Sequence, residues 1–400
     1  MKKFLIFSLV LVLIFGLTGL ASASTKGELL IWADEERAEL MEDLGEEFEE
    51  DFGIPVSISE VPFGDIRDNM RVEAPSGEGP DIIVGAHDWV GELVNNGLIA
   101  SIDLDDKKDD FMPVALDAFS WEEEVYGLPY TIESVGLIYN KDMVSEPPEN
   151  FEEFEEIIKN ITDEDEEVYG FALPQPDPYH TFPFMSATGG YVFGRDENDV
   201  LDPTDIGLNN EGAVTGLEKL AKLYRDDLVP YLDFQSMSEL FSQERLAMMI
   251  TGPWELANIR EAGINYGFTQ IPKIDGNEAK PFVGVQGFMI SEFSENKMLA
   301  RTFLMDYIAT KDTMTKLYEI DNRPPVYEPA TEVAEEDEDT LGVLESAEAG
   351  TPMPNIPEMN AVWESWENAL EVTLSQDEDV KDALDNAVEQ IEEAIEESSD

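Results

Sequence analysis

Short apolar segments of strand length alternate with amphipathic helical segments along this chain. Residues 28–32, 53–58 and 81–84 are apolar runs typical of β-strands. The segment between the first two places Leu44 and Phe48 on one side of a helix. This alternation predicts α/β lobes with largely parallel sheets. In such sheets, ligands bind in the loops that follow the carboxyl ends of the strands.

The first residues have the form of an export signal. Lys2 and Lys3 precede an apolar run over residues 4–20, and Ala21-Ser-Ala23 supplies the small residues that signal peptidase requires. The alternative is a membrane anchor, but the run is short for a span and ends at a cleavage site. We therefore expect removal of residues 1–23, with no membrane insertion of the mature protein. About 375 residues then remain, which predicts two domains.

The chain contains no cysteine. This excludes disulfide bonds, thiol catalysis and cysteine-based metal sites. It also excludes the lipid-modified cysteine that tethers many exported binding proteins to a membrane. An untethered exported protein is best retained between two membranes, so we expect a periplasmic location, with an extracellular location as the alternative.

The charge balance is strongly acidic, with 24 basic and 89 acidic residues and a formal net charge of −65. Nucleic acids and anionic membranes would be repelled, so neither is expected as a partner. The hydrophobic content of 42% is sufficient for packed cores, which argues against disorder. Adaptation to concentrated salt fits better, because the Debye length is only ~3 Å at 1 M salt.

Motifs for metal, phosphate or nucleophilic chemistry are absent from the sequence. The two histidines, His87 and His180, have no histidine partner at metal-binding spacing. No EF-hand loop, phosphate-binding loop or nucleophile elbow occurs. The sequence therefore predicts neither a metal nor a cofactor.

Several tryptophans follow turns or strand ends and have acidic residues nearby. Trp89 follows His87-Asp88, Trp254 follows a Gly-Pro pair, and Trp363 follows a proline-rich turn. Aromatic faces stack on the C–H faces of sugar rings, while carboxylates accept hydrogen bonds from sugar hydroxyls. For each tryptophan alone, the alternative is an ordinary core position. As a set of loop positions they favour a sugar-binding groove.

Eight strings of this sequence resemble segments of the maltose- and maltodextrin-binding proteins, which are extracellular solute-binding proteins of ABC importers. They are Glu28-Leu-Leu-Ile-Trp32, Gly79-Pro-Asp-Ile-Ile83, Ala86-His-Asp88, Leu137-Ile-Tyr-Asn-Lys-Asp142, Gly189-Gly-Tyr191, Thr251-Gly-Pro-Trp254, Lys280-Pro-Phe-Val-Gly-Val285 and Met353-Pro-Asn-Ile-Pro357. The resemblance implies a two-lobed periplasmic-binding-protein fold of type II. Each lobe is expected to be a mostly parallel sheet flanked by helices, with the ligand cleft between the lobes.

The resemblance also implies lobe boundaries and site residues. Residues 24–132 with 284–335 are expected to form the N-terminal lobe, and residues 133–283 with 336–400 the C-terminal lobe. The expected ligand-binding residues are Asp34, Glu36, Arg37, Asp88, Trp89, Glu133, Asp177, Tyr179, Trp254, Trp363 and Glu364.

Three positions depart from the pattern of the best-known maltose binders. Gly85 replaces an aromatic residue, for which Trp89 could substitute as a stacking surface. Glu364 stands where a tyrosine is expected, and Glu367 where an arginine is expected. These departures leave the identity and chain length of the sugar open.

The leading hypothesis is a monomeric, non-enzymatic binding protein that captures a malto-oligosaccharide and delivers it to an ABC permease with its ATPase. Within the same role, trehalose, sucrose or another oligosaccharide is the alternative ligand. A distant alternative is an exported glycosidase, which requires two carboxylates ~5–10 Å apart across one scissile bond.

Overall fold

The computed structural model describes residues 27–196, 200–334 and 337–399. The predicted signal peptide lies outside the described residues. The strands are β1 (Leu29–Ala33), β2 (Val56–Glu60), β3 (Ile82–Ala86), β4 (Ile99–Ala100), β5 (Ser120–Trp121), β6 (Glu124–Val125), β7 (Leu128–Ser134), β8 (Gly136–Asn140), β9 (Phe193–Arg195), β10 (Leu201–Ile206), β11 (Met248–Thr251), β12 (Tyr266–Thr269), β13 (Phe282–Ser291) and β14 (Thr351–Pro352). The helices are α1 (Glu35–Phe52), α2 (Phe63–Glu73), α3 (Val90–Asn95), α4 (Pro113–Ala118), α5 (Phe151–Ile161), α6 (Pro178–Ala187), α7 (Glu211–Arg225), α8 (Phe234–Ser242), α9 (Leu256–Glu261), α10 (Lys297–Phe303), α11 (Lys311–Asp321), α12 (Glu338–Ala349), α13 (Val362–Ser375) and α14 (Val380–Ser399).

The first sheet has the strand order β14-β13-β3-β1-β2, with β4 and β7 also paired to β13. Strand β1 runs parallel to both β2 and β3, as the alternation of strands and helices predicts. Helix α1 begins after Asp34, whose side chain accepts a hydrogen bond from the Arg37 N–H, and it ends at Gly53 with a φ of 66°. A residue without a Cβ is favoured at that left-handed C-cap.

The second sheet has the order β11-β8-β12, and β8 is antiparallel to both neighbours. Successive residues of its strands point to opposite faces, as the pleat requires. Leu137 and Met248 belong to one apolar cluster, and Ile138 and Met249 belong to another on the opposite face. Both faces of this sheet are therefore buried.

The α/β architecture is confirmed, and strands β1, β2 and β3 are parallel as expected. Strand β13 differs, because it is antiparallel to β3 and β7. Strand β7 takes the chain out of the first sheet and β13 brings it back, so the two run in opposite directions. The first sheet is mixed because β7 and β13, which connect it to the rest of the chain, are themselves strands of it, whereas the second sheet is antiparallel.

Two large apolar clusters divide the protein. We call them the first core, from residues 29–132 and 283–330, and the second core, from residues 135–282 and 353–391. The division between the clusters falls within strands β7 and β13 and close to the lobe boundaries expected from the resemblance. Those boundaries stay a prediction, and the two cores support them.

Helix α12 touches both parts of the molecule. Its residues Leu344 and Ala347 pack against the first core. On another side, Gly342 lies against Phe268 of β12, where an added Cβ would come within 2.8 Å of the ring. The resemblance places this helix in the C-terminal lobe, which stays a prediction, and its side chains contact both parts of the molecule. Among the residues with described positions, no helix has the length and apolarity needed to span a membrane.

Candidate ligand-binding cleft

The loop after β1 is held by buried ionic contacts. Arg37 is only 1% exposed, and its guanidinium pairs with the carboxylate of Asp34. It also donates hydrogen bonds to Tyr130 Oη at 2.7 Å and to Gln286 Oε1 at 2.7 Å. All of these partners are protein groups, so Arg37 stabilises the conformation of this loop from within the protein. Its role as a ligand residue stays a prediction.

Arg323, which the sequence analysis did not identify, connects the two halves of the molecule. Its Nε donates to Glu133 Oε2 at 2.5 Å, and its Nη1 lies 3.4 Å from Glu36 Oε2. It also pairs with Asp321 at 3.2 Å. The guanidinium carbon lies 5.5 Å from the ring centroid of Trp254, a cation–π arrangement. Arg323 therefore brings together the loop after β1, strand β7 and the loop after β11.

A short 3₁₀ helix, His87–Trp89, follows β3. His87 is buried, with its Nδ1 accepting from the Val285 N–H at 3.1 Å and its Nε2 lying 3.0 Å from the Met353 carbonyl oxygen. Burial lowers the pKa of His87, so the imidazole is neutral. His87 therefore ties the end of β3 to β13 and to the residues after β14.

Asp88 is half-buried, and none of the described residues forms an ion pair with it. Its Oδ1 has no hydrogen-bond partner among the described residues. Burial is the main reason that the pKa of Asp88 is raised to about 7; the Arg67 charge opposes this shift and the Glu133 charge contributes to it. A carboxylate oxygen buried without a partner is stabilised by a hydrogen bond from a ligand or by protonation of the carboxylate.

Trp89 is 7% exposed and belongs to the first core. Its ring covers Gly85, where an added Cβ would lie 2.6 Å from the indole. It also packs against Phe63 with ring centroids 5.0 Å apart. Trp89 therefore occupies the space of the side chain missing at position 85, and a contact between Trp89 and the sugar stays a prediction.

Helix α6 begins at the second side of the cleft. Asp177 is its N-cap, accepting from the His180 N–H at 3.0 Å through Oδ1, while Oδ2 lies 2.9 Å from His180 Nδ1. The hydroxyl of Tyr179 is buried and has no partner among the described residues. The pKa of Tyr179 lies well above its usual value because of burial and the charges of Glu133 and Asp88. Groups from both sides of the cleft thus act on this hydroxyl.

Two tryptophans expose part of their rings on this side. Trp254 is half-buried in the short helix Pro253–Glu255, and its ring lies 6.2 Å from that of Tyr179. Trp363, near the start of α13, is also half-buried and stacks on Trp366 with a centroid distance of 6.4 Å. The rings of Tyr179 and Trp363 both lie within about 6 Å of Phe282, at 5.8 Å and 6.1 Å. Phe282, which the sequence analysis did not single out, therefore joins them into one aromatic surface.

The two acidic departures lie on α13. Glu364 is exposed, so the structure does not bring it into the buried part of the cleft. The pKa of Glu367 is raised by partial burial and by the charges of Asp177 and Glu364. This end of the cleft is therefore negatively charged.

Three buried polar atoms of the cleft lack partners among the described residues, namely Asp88 Oδ1, Tyr179 Oη and His180 Nε2. Buried polar groups in native proteins are almost always hydrogen-bonded. Each unpaired group costs about 1–3 kcal/mol. Tyr179 and His180 lie beside the half-buried ring of Trp254, and such a combination suits a polar ligand that has flat apolar faces.

Comparisons with known proteins identify the family of this chain. The sequence profile of the bacterial extracellular solute-binding proteins matches residues 43–341. The chain is 33% identical to the galactooligosaccharide-binding protein of Bacillus subtilis over 382 residues, covering 92% of this chain and 90% of the relative. It is 30% identical to the maltodextrin-binding protein of the same organism over 389 residues, covering 94% and 92%. It is also 30% identical to the maltotriose-binding protein of Pyrococcus abyssi over 323 residues, covering 78% and 69%.

The resemblance expected from the sequence strings is thereby confirmed. The profile match covers more than half of the chain and includes strands from both sheets. The relatives are binding proteins for oligosaccharides, and the cleft combines aromatic rings with unpaired hydrogen-bonding groups. This chain belongs to the bacterial extracellular solute-binding protein family.

Proposed function

We propose that this protein captures a malto-oligosaccharide-type sugar between its two lobes and presents it to the permease of an ABC importer. The observation that carries the proposal is the set of buried, unpaired groups of Asp88 and Tyr179 beside the half-buried ring of Trp254. Sugar hydroxyls satisfy the polar groups, and the C–H face of a pyranose stacks on the indole. Three relatives named for oligosaccharide binding support this ligand class.

The charges of the cleft favour a neutral sugar. The arginines at the cleft, Arg37 and Arg323, are both paired with carboxylates. Glu367 and Asp177 add negative charge at the other end. A uronic acid or a phosphorylated sugar would meet uncompensated acids, and like charges at close range cost binding energy.

Ligand binding is proposed to stabilise a closed arrangement of the lobes. A ligand shifts such an equilibrium only by its different affinities for the open and closed forms. Asp88 follows a strand of the first sheet, and Trp254 follows a strand of the second. A sugar that contacts both binds the closed form more tightly, and the permease recognises that form.

The cellular setting is part of the proposal. The family is extracellular, and the export signal at residues 1–23 supports cleavage near Ala23. We propose a periplasmic monomer that carries no catalytic activity, in keeping with relatives that are binding proteins.

Calorimetry in concentrated salt tests the ligand. Maltotriose and maltotetraose are titrated beside a galacto-oligosaccharide, trehalose, sucrose and an oligogalacturonate. We expect the malto-oligosaccharides to bind most tightly and the uronate not to bind. Tighter binding of the galacto-oligosaccharide would replace the proposed ligand, and binding of none of the neutral sugars would overturn the proposal. Release of glucose from maltotriose during a long incubation would identify a glycosidase instead.

A further inference from the structure

His180 forms a buried pair with Asp177 and leaves one ring nitrogen without a partner. The side chain is 6% exposed, and its Nδ1 lies 2.9 Å from Asp177 Oδ2. Its Nε2 is buried and has no hydrogen-bond partner among the described residues. The ring packs edge-on against Trp254 at 5.8 Å, next to Tyr179 at 5.7 Å. The unpaired nitrogen therefore belongs to a ring that packs on the aromatic residues of the cleft.

The pairing with Asp177 determines which nitrogen carries the proton. Burial raises the pKa of Asp177, but the contacts of its carboxylate with His180 outweigh burial, and the pKa lies below its usual value. Asp177 is thus an ionised carboxylate, which only accepts hydrogen bonds. The hydrogen between Asp177 Oδ2 and His180 Nδ1 then belongs to Nδ1, and in the neutral form of the imidazole Nε2 presents a lone pair.

Both carboxylate oxygens of Asp177 are already engaged. Oδ1 accepts from the backbone N–H of His180, and Oδ2 faces the imidazole. Asp177 therefore orients His180, as carboxylates hydrogen-bonded to functional histidines do elsewhere. This gives Asp177 a positioning task that its sequence position alone did not indicate.

We infer that His180 Nε2 accepts a hydrogen bond from one hydroxyl of the bound sugar, and that the Asp177–His180 pair selects a ligand with a donor at that position. The inference rests on the proposed function, because it names a residue of the same site. A buried acceptor left without a donor is costly. A sugar with a hydroxyl at that position should therefore bind, because the hydroxyl donates to Nε2. A sugar with hydrogen or fluorine in place of that hydroxyl should bind more weakly, because neither group can donate.

A panel of singly deoxygenated and singly fluorinated versions of the sugar that binds best tests this inference. In the wild-type protein, one position should show an affinity loss of about 5- to 150-fold for both replacements. The variant His180→Phe retains an aromatic ring but has no acceptor, so both losses at that position should disappear. If every loss persists in His180→Phe, the inference is wrong while the sugar-binding function stands. If the wild-type protein binds no sugar, the proposed function fails, and this inference fails with it.

Asp177→Asn supplies a second variant that preserves the helix cap. Its Oδ1 can still accept from the His180 N–H, while its Nδ2 donates to Nδ1 and moves the ring proton to Nε2. An Asp→Asn change beside a catalytic histidine is known to leave geometry intact and produce the wrong tautomer. Nε2 then donates, so the fluorinated sugar should lose most of its disadvantage. A fluorine penalty equal to that of the wild type would overturn the proposed tautomer.

Nitrogen-15 NMR of the imidazoles gives a readout that needs no variant. The chain has only two histidines, and His87 serves as the internal control because both of its ring nitrogens contact backbone groups. Added sugar should shift the unprotonated Nε2 resonance of His180 and leave those of His87 nearly unchanged. The inference would be overturned by a protonated Nε2 on His180 in the sugar-free protein at neutral pH. It would also be overturned if the Nε2 resonance of His180 did not shift when sugar is bound.

Discussion

Replacing Asp88 with asparagine tests how the cleft is kept ready for a ligand. The substitution preserves shape but removes a buried charge, whose pKa is raised from 3.8 to about 7 in the folded protein. Between these two pKa values the folded state holds a proton that the unfolded state has released. The stability of the sugar-free wild type should therefore fall as pH rises through this window. The Asp88→Asn variant should lack this pH-dependent loss of stability.

The size of the effect follows from the shift. One pKa unit corresponds to 1.36 kcal/mol, so the full window from 3.8 to about 7 is worth about 4 kcal/mol. The part that lies above pH 5 is about 3 kcal/mol. The asparagine variant should thus gain about 3 kcal/mol relative to the wild type between pH 5 and pH 8.

Denaturant unfolding at pH 5, 6, 7 and 8, in concentrated salt and without sugar, measures this difference. The lowered pKa of His87 makes the folded protein less stable as pH falls, which is the opposite trend. His87 is present in both proteins, so its contribution cancels in the difference between them. Glu164→Gln, at an exposed acid, is the matched control and should show no pH-dependent difference. A difference between Asp88→Asn and wild type that is constant over this range would refute the burial argument.

Three further predictions concern the aromatic rings, the central arginine and the surface charge. Trp254→Ala and Trp363→Ala should each weaken sugar binding by about 1–3 kcal/mol through loss of a stacking face, measured by calorimetry. Trp121→Ala, at a partly buried ring that packs against the first core, should leave affinity unchanged, and equal losses in all three would contradict the site. Arg323→Ala should lower the free energy of unfolding by about 3–5 kcal/mol, because Glu133 is left buried without its cation. Adding Glu133→Gln should restore part of that loss, and an additive double variant would argue against the pair. The melting temperature without sugar should climb steadily from roughly 0.1 M to 2 M NaCl as screening reduces repulsion among 89 acidic residues. A curve that saturates at low salt would indicate a specific cation site, and a flat or falling curve would contradict adaptation to salt.

The local parts of the fold were accessible from the sequence because they depend on neighbouring residues. The apolar period of α1, its cap at Asp34 and its end at Gly53 lie within one segment and predict a strand–helix–strand unit. Asp88 could be placed at the end of a parallel strand for the same reason. The mixed strand directions of the first sheet were not accessible, since they depend on β7 and β13 being the connections between the two parts of the chain.

The missed residues act through contacts that no local pattern encodes. Arg323 meets Glu133 across 190 residues of sequence, and its loop contained only a single arginine followed by two prolines. The one signal that pointed to Arg323 was its residue type, because basic residues are uncommon in this chain, with 24 against 89 acidic residues. For His180, the sequence does contain a signal, because the Asp-x-x-His spacing across a helix start favours contact between the two side chains.

The cleft combines two requirements that oppose each other in the sugar-free protein. Asp88, Tyr179 and His180 each hold a buried atom without a partner among the described residues, which makes the closed arrangement costly. Arg323 offsets part of this cost by neutralising Glu133 and covering Trp254. In the proposed function, a sugar that donates to the unpaired atoms removes the remaining penalty only when both sides of the cleft surround it. We therefore propose that the groups that weaken the empty closed form supply the affinity difference by which a ligand drives closure.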